Sequence, residues 1–335
     1  MNQPEKTPKT LATLDGNTLM AQEFAPLRFS VDKILPHGLF ILAGSPKIGK
    51  SWLSLDLCQA VATGGKLWEY QAEQGNVLYL ALEDNYHRLQ NRLKQMEVER
   101  LDISRLHMAT ASFGLQDGLL EQINNFVATN AGTNLIAIDT LEHIRNGEQT
   151  SNIYACDYRD MNRLREITNR HPLTLLLIHH TRKMYDPDPL NTISGSTGLI
   201  GAVDGVFVLE KAKRTGEGAK LTIANRDTEG FCFNLRFDKE VCRWEFVGNS
   251  AESDDDEDAL ICLLDDFLKD DWSGTATELC SELSKAGSGF DLNPSTLTKK
   301  LKSLSGQFKK EFHILIDFER TRNSRRIFLR RDANA

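Results

Sequence analysis

From Arg28 to Gly248, short runs of apolar residues alternate with longer stretches in which apolar positions recur every three or four residues. The runs Leu39–Ala43, Val77–Leu82, Leu106–Ala109, Leu135–Ile138, Leu173–Ile178 and Val206–Leu209 are continuous. Strands buried on both faces require such runs. Between them, Trp52–Ala62, Tyr86–Met96, Leu119–Thr129 and Tyr154–Asn169 have helical character, and the last carries Met161, Leu164 and Ile167 on one face. Strand alternating with helix predicts an α/β fold built on a mainly parallel sheet. After Gly205 the rhythm shortens: Lys220–Ala224, Phe231–Phe237 and Arg243–Phe246 alternate in polarity and are separated by turn residues, predicting antiparallel strands that close one edge. Residues 249–258 are acidic and Ser-containing and cannot bury themselves, which marks a linker. Beyond them lie three helix-like stretches, then Ile314–Phe318 and Arg326–Leu329 around a basic turn. The predicted division is a loose segment 1–27, an α/β domain 28–248, the linker 249–258 and a small domain 259–335.

The first strand runs into Gly44-Ser45-Pro46-Lys47-Ile48-Gly49-Lys50-Ser51, and a helix follows. This is the pattern of a nucleotide phosphate loop. Glycines let backbone N–H groups turn inward at a helix N-terminus, where the dipole favours anions. Lys50 adds a mobile cation, and the Ser51 hydroxyl is placed to ligate Mg²⁺. Hydrolysis further needs a carboxylate on the magnesium side, a base for the attacking water and a group that senses the γ-phosphate. Each has a candidate at the end of a predicted strand, where ligands bind in open parallel sheets. Asp139 ends Leu135–Ile138 and would hold the water shell of the metal, with Thr140 assisting the same shell. Glu83 ends Val77–Leu82, on a strand expected beside that of the phosphate loop, and would polarise the attacking water. Alternatively, Glu83 or Asp84 caps the helix near Tyr86. His179 and His180 end Leu173–Ile178 and would report nucleotide state. Arg226, just after an edge strand, would reach a triphosphate held by a neighbouring subunit or serve as an ordinary surface arginine. The Gly/Ser-rich segment 186–204 reads as a mobile loop facing a channel, with Arg182 and Lys183 as phosphate contacts, or as a passive surface loop.

Composition narrows the class. The chain has 335 residues, 40% hydrophobic and 26% charged, enough for a sizeable core and about two domains. No apolar run approaches the roughly 20 residues a bilayer span requires, and the polar N-terminus has no secretory pattern. The six cysteines show no CxxC pair and read as reduced core residues of a cytoplasmic protein. Net charge is −7, but from Ser273 onward 12 Lys/Arg face 7 Asp/Glu, a local +5 against −12 for the remainder. A basic tail on an acidic body points to where nucleic acid would be held.

Taken in order, the phosphate loop, LYLALED, LIAIDT, LLLIHHTRK, GSTG and LTIANRDTEG resemble the RecA-like ATPases. The resemblance is to the hexameric plasmid replicative helicases of the RepA type and their DnaB-type relatives, over Arg28 to Gly248. It implies ATP and Mg²⁺ as cofactors and a homo-oligomeric ring, six-membered in that family, with single-stranded DNA in its centre. It also implies Lys50 and Ser51 on the phosphates and metal, Glu83 as base, Asp139 as Walker B carboxylate, His179 and His180 as sensors, and Arg226 acting in trans. The chain departs from that pattern at Ala224, where a lysine often precedes the Asn–Arg pair. The tail resembles winged-helix domains of plasmid and phage helicases and primases. There Lys299, Lys300, Lys302, Arg322, Arg325 and Arg326 would contact DNA phosphates, single- or double-stranded; contact with proteins only is the alternative. A replicative helicase or translocase is the leading expectation, with an initiator or primase as a further partner. An ATP-switched DNA-binding regulator, or an ATPase that loads a replication partner, are the other readings.

Overall fold

The computed structural model describes residues 13–98, 101–145, 153–182, 186, 188–211, 218–249, 260–261, 263–286, 293–320 and 325–331. The central strands are β1 (Gly38–Gly44), β2 (Asn76–Ala81), β3 (Leu106–Ala109), β4 (Thr133–Asp139), β5 (Thr174–His180) and β6 (Gly205–Lys211). Three more follow: β7 (Gly218–Asn225), β8 (Phe231–Asp238) and β9 (Arg243–Asn249). The nine form one sheet in the order β9-β8-β7-β6-β1-β5-β4-β2-β3. The six from β6 to β3 are parallel, and β7, β8 and β9 join antiparallel.

The continuous apolar runs are explained by cover on both faces. On one face Phe40 and Leu42 of β1 pack with α1 (Lys50–Thr63) and α2 (Tyr86–Gln95). On the other, Leu39, Ile41 and Ala43 pack with α3 (Leu119–Thr129) and α4 (Ile153–Arg170), the latter through Met161, Leu164 and Ile167 as its spacing predicts. The helix α1 is buried almost all round, from Leu53 to Ala62, which explains its lack of a polar stripe.

Two expectations about position are corrected. The strand β2 is not beside β1: β5 and β4 lie between them, because the β1–α1–β2 crossover carries the chain across two strand positions. Nor is β7 an edge strand, since β8 and β9 continue the sheet beyond it. The cysteines also divide: Cys58 is buried, whereas Cys156, Cys232, Cys242 and Cys280 are half-buried. Cys262 lies outside the described residues.

Arg243 of β9 fastens the antiparallel edge to both helices of its face. Its guanidinium donates to Asp56 (2.6 Å) and Gln59 (2.5 Å) on α1 and to the Met96 carbonyl (3.0 Å) after α2. Burial pushes the Asp56 carboxyl up to about 6, against the pull of Arg243. Arg243→Ala would strand a carboxylate that is only 6% exposed. The expected cost is about 3 kcal/mol, the low end for a broken buried pair because the arginine is partly exposed. Urea unfolding should show this loss at pH 8 and less of it at pH 5, where protonation of Asp56 removes the unpaired charge.

In the C-terminal part, helices α5 (Ala276–Ala286) and α6 (Pro294–Phe312) accompany a three-stranded antiparallel sheet. Its strands β10 (Trp272–Gly274), β11 (Ile314–Arg320) and β12 (Arg325–Arg331) stand in the order β10-β12-β11. They enclose a core of their own, including Leu279, Leu283, Leu297, Leu301, Phe308, Ile314 and Leu329. Thr275 and Glu278 form a capping box ahead of α5, the Glu278 carboxylate accepting from the Thr275 N–H at 2.7 Å. Asn293 caps α6 through Thr296 N–H, with Pro294 in the first turn. The acidic run 250–258 lies outside the described residues. Among those described, no helix is long and apolar enough to cross a membrane.

Candidate functional site

All six parallel strands point their C-terminal ends the same way, and the loop 44–51 opens at that end of β1. Gly44 must be glycine because a Cβ there would lie 2.7 Å from the Leu209 carbonyl of β6. Gly49 has φ +108°, and its Cβ would meet the Trp244 ring at 3.0 Å. The Trp244 indole N–H donates to the Gly49 carbonyl at 3.3 Å, so β9 closes over the loop from far along the chain. Ser45, Pro46 and Lys47 are exposed, whereas Ile48 points into the core and anchors the turn.

Lys50 is buried at the start of α1. Its ammonium donates to the carbonyls of Gly44 (2.8 Å) and Ser45 (3.1 Å) and lies 3.3 Å from His180 Nδ1. Burial lowers its pKa, with Asp139 and Glu83 pulling the other way. Asp139 ends β4 and is 4% exposed. Burial raises its pKa, while hydrogen bonds from Ser51 and Tyr79 oppose the shift; the Tyr79 hydroxyl donates at 2.8 Å. Ser51 and Asp139 are therefore already paired, as an Mg²⁺ site of this kind needs. Among the described residues no cluster of three or more His, Cys, Asp or Glu side chains is arranged to hold a metal. That suits a cation carried mostly by water and phosphate oxygens.

These groups line a cavity of about 690 Å³ that also takes in Glu83, Thr140 and His180. Lys47, Lys50, Arg92, Lys211 and Lys239 face Glu83 and Asp139 across it, a cationic lining suited to a polyanion. Sequence reasoning missed one wall entirely. Trp52, Phe237 and Trp244 stand there, with Phe237 5.1 Å from Trp244 and 6.4 Å from Trp52, ring centre to ring centre. Arg92 lies 5.4 Å over the Trp52 ring. Tyr79 was also missed, although its place two residues before Ala81 puts it on the α1 face of β2.

Several candidates are relocated. Asp84 does not cap α2; Asn85 does, accepting from Arg88 N–H, and Asp84 pairs instead with Arg88 (2.8 Å) and Arg92 (2.5 Å). Thr140 turns its hydroxyl to Glu83 rather than to the Ser51–Asp139 pair. Strand alternation separates the two histidines: His180 faces the cavity, while His179 is buried and its Nε2 bonds the Ser194 carbonyl at 2.9 Å. Burial lowers the His179 pKa. The segment 186–204 is more ordered than a plain loop, with a tight turn at Pro189–Thr192 and a short helix at Thr197–Gly201. It is fastened by His179, by Asp157 accepting from Ser196 N–H (2.7 Å) and by Arg182 donating to the Gly195 carbonyl (2.7 Å).

Arg226 lies at the opposite end of the sheet from the cavity. Asn225 pairs with Gly205, where β6 begins, and the Arg226 guanidinium donates to the Gly201 carbonyl at 2.5 Å and sits 3.8 Å from Asp204. In the C-terminal part Lys299, Lys302, Arg325 and Arg326 are exposed and Lys300 is half-buried. The Lys302 ammonium lies 5.2 Å over the Phe318 ring. Lys183 and Arg322 fall outside the described residues.

A largely parallel sheet with a glycine loop and paired Ser and Asp at its strand tips defines a RecA-like nucleotide-binding domain of the ATPase type. Residues 4–186 match the AAA domain family (AAA_25), and the chain belongs to that family. Among solved structures, the ATPase domain of a helicase is similar with a TM-score of 0.52 at 12% identity, over 63% of this chain and 85% of that one. The RadB recombinase crystal structure matches 64% of this chain and 93% of its own at 19% identity, with a TM-score of 0.45. None of the curated proteins matches.

Proposed function

We propose that the protein is an ATP-hydrolysing motor of the RepA-type replicative helicase kind, working as a ring of six subunits on a DNA strand of a plasmid, phage or other mobile element. The observation that carries this reading is the convergence at one cavity of Lys50 and Ser51, Glu83, Asp139 and His180 from four strand ends. Lys50 and the loop N–H groups bind the triphosphate, and Lys47, Arg92, Lys211 and Lys239 add positive field. Ser51 and Asp139 would hold Mg²⁺, which neutralises charge on the phosphate oxygens when bound. Glu83 takes the proton of the attacking water, and His180, beside Lys50, is placed to sense the γ-phosphate. The distance between Arg226 and its own cavity favours assembly, because only a neighbour's nucleotide lies within its reach. The C-terminal part supports a winged-helix reading: α5 and α6 stand as a helix pair, β11 and β12 as the hairpin of a wing, and Lys299, Lys302, Arg325 and Arg326 as phosphate contacts.

The test is ATP hydrolysis with and without single-stranded DNA, on the full chain and on a chain lacking residues 259–335. Stimulation that survives the deletion supports a strand held by the ring, and loss of stimulation supports recruitment by the tail. An absence of stimulation by any nucleic acid would overturn the motor reading and favour an ATPase acting on a partner protein. Lys50→Ala is the control: losing a charge-assisted contact worth about 1.5–3 kcal/mol should weaken nucleotide binding roughly tenfold to a hundredfold. Unchanged affinity, measured by titration with a fluorescent ATP analogue, would refute the phosphate-loop assignment.

A further inference from the structure

Thr140 stands at the N-terminal cap of the short helix Leu141–Ile144, yet its hydroxyl makes no capping bond. Threonine at that position normally accepts from a backbone N–H of the first turn. Here the Thr140 hydroxyl donates to Glu83 Oε1 at 3.2 Å. The same Oγ1 lies 3.2 Å from His143 Nδ1, which is itself 3.5 Å from Glu83 Oε1. A threonine hydroxyl has one proton, and that proton goes to Glu83. The contact with His143 is therefore made by an Nδ1–H donating to Thr140 Oγ1, which fixes the tautomer. The three groups form a chain of donors ending on the carboxylate, and each bond polarises the next.

The base of this arrangement is rigid. Leu141 and Ile144 are fully buried in the core on the α4 side of the sheet, so the turn that presents His143 is pinned from below. Glu83, in contrast, lies just past the end of β2 and is about half exposed, with three rotatable bonds to order. Nothing in the assigned machinery uses His143.

We propose that His143, acting through Thr140, is a positioning residue for Glu83, holding its carboxylate at the mouth of the cavity before nucleotide arrives. This rests on the reading of Glu83 as the base. A carboxylate displaced by about 1 Å can lose on the order of 10²-fold in rate. His143→Ala is accordingly expected to lower kcat about 10- to 100-fold while leaving the affinity for a non-hydrolysable ATP analogue unchanged. His143→Asn keeps an N–H donor near the same place and should recover most of the loss. In a Glu83→Gln background, His143→Ala should add nothing, because the residue it positions no longer acts as a base.

The measurements are kcat, KM and analogue affinity for the three single variants and the His143→Ala/Glu83→Gln double variant, on the full chain. Wild-type kcat in His143→Ala overturns the proposal, as does a second full loss in the double variant, which would mean an action independent of Glu83. Failure of His143→Asn to recover activity also counts against it. If Glu83→Gln itself turns over at the wild-type rate, the base assignment falls and this proposal with it. If Glu83→Gln is slow and His143→Ala is not, only the positioning role falls.

Discussion

With Arg226 replaced by alanine, the chain is expected to fold, bind nucleotide and assemble, and to lose about 10³- to 10⁵-fold in turnover, the range measured for arginines that reach a transferring phosphoryl group. The argument is one of distance. The strand β6 runs from Gly205, beside Asn225, to Lys211 at the cavity. Seven residues at about 3.3 Å each separate the two ends by roughly 20 Å, several times the reach of an arginine side chain. A contact between Arg226 and triphosphate must therefore cross to another subunit. The lost contacts, to Gly201 and Asp204, are half exposed, so stability should change by no more than about 1 kcal/mol. Mixing Arg226→Ala with Lys50→Ala subunits decides the matter. In a head-to-tail ring about one interface in four regains both an intact loop and an intact arginine, so activity should rise above that of either variant alone. A mixture no more active than its parts would end the trans assignment.

Glu83→Gln should keep nucleotide affinity and lose about 10²- to 10⁴-fold in turnover, the usual contribution of a positioned base. The substitution is nearly isosteric, and an amide oxygen can still accept from Thr140, so the local structure is preserved. The start of α2 is independent of it, because Asn85 makes the cap and Asp84 the ion pairs with Arg88 and Arg92. Single-turnover hydrolysis separates the chemical step from release. Full activity would reduce Glu83 to a structural residue.

The parallel core was legible because burial on both faces leaves a signature that needs no knowledge of neighbours. Six apolar runs became six strands, each matched to within two residues at either end. Their order was not legible, since the crossover through α1 leaves no trace in the sequence of how many strands it passes. The same limit applied to the site. Lys50, Ser51, Glu83 and Asp139 stood out because each follows its strand or loop directly. Trp244, Phe237 and Lys239 did not, because they reach the cavity through antiparallel strands far along the chain. Arg92 passed for an ordinary charge on a helix surface. His143 went unnoticed because its partner Glu83 is 60 residues away in sequence, brought close only by the pairing of β2 with β4. The helix Thr197–Gly201 escaped because five residues are too few to display a period.

The family match stops at residue 186, before β6 begins. A fragment cut at that boundary would turn β1, the most sheltered strand of the sheet, into an open edge with its backbone groups unpaired on one side, inviting association with other chains. It would also leave Gly49 without its indole lid. The smallest piece worth producing on its own therefore runs through Asn249, where β9 ends.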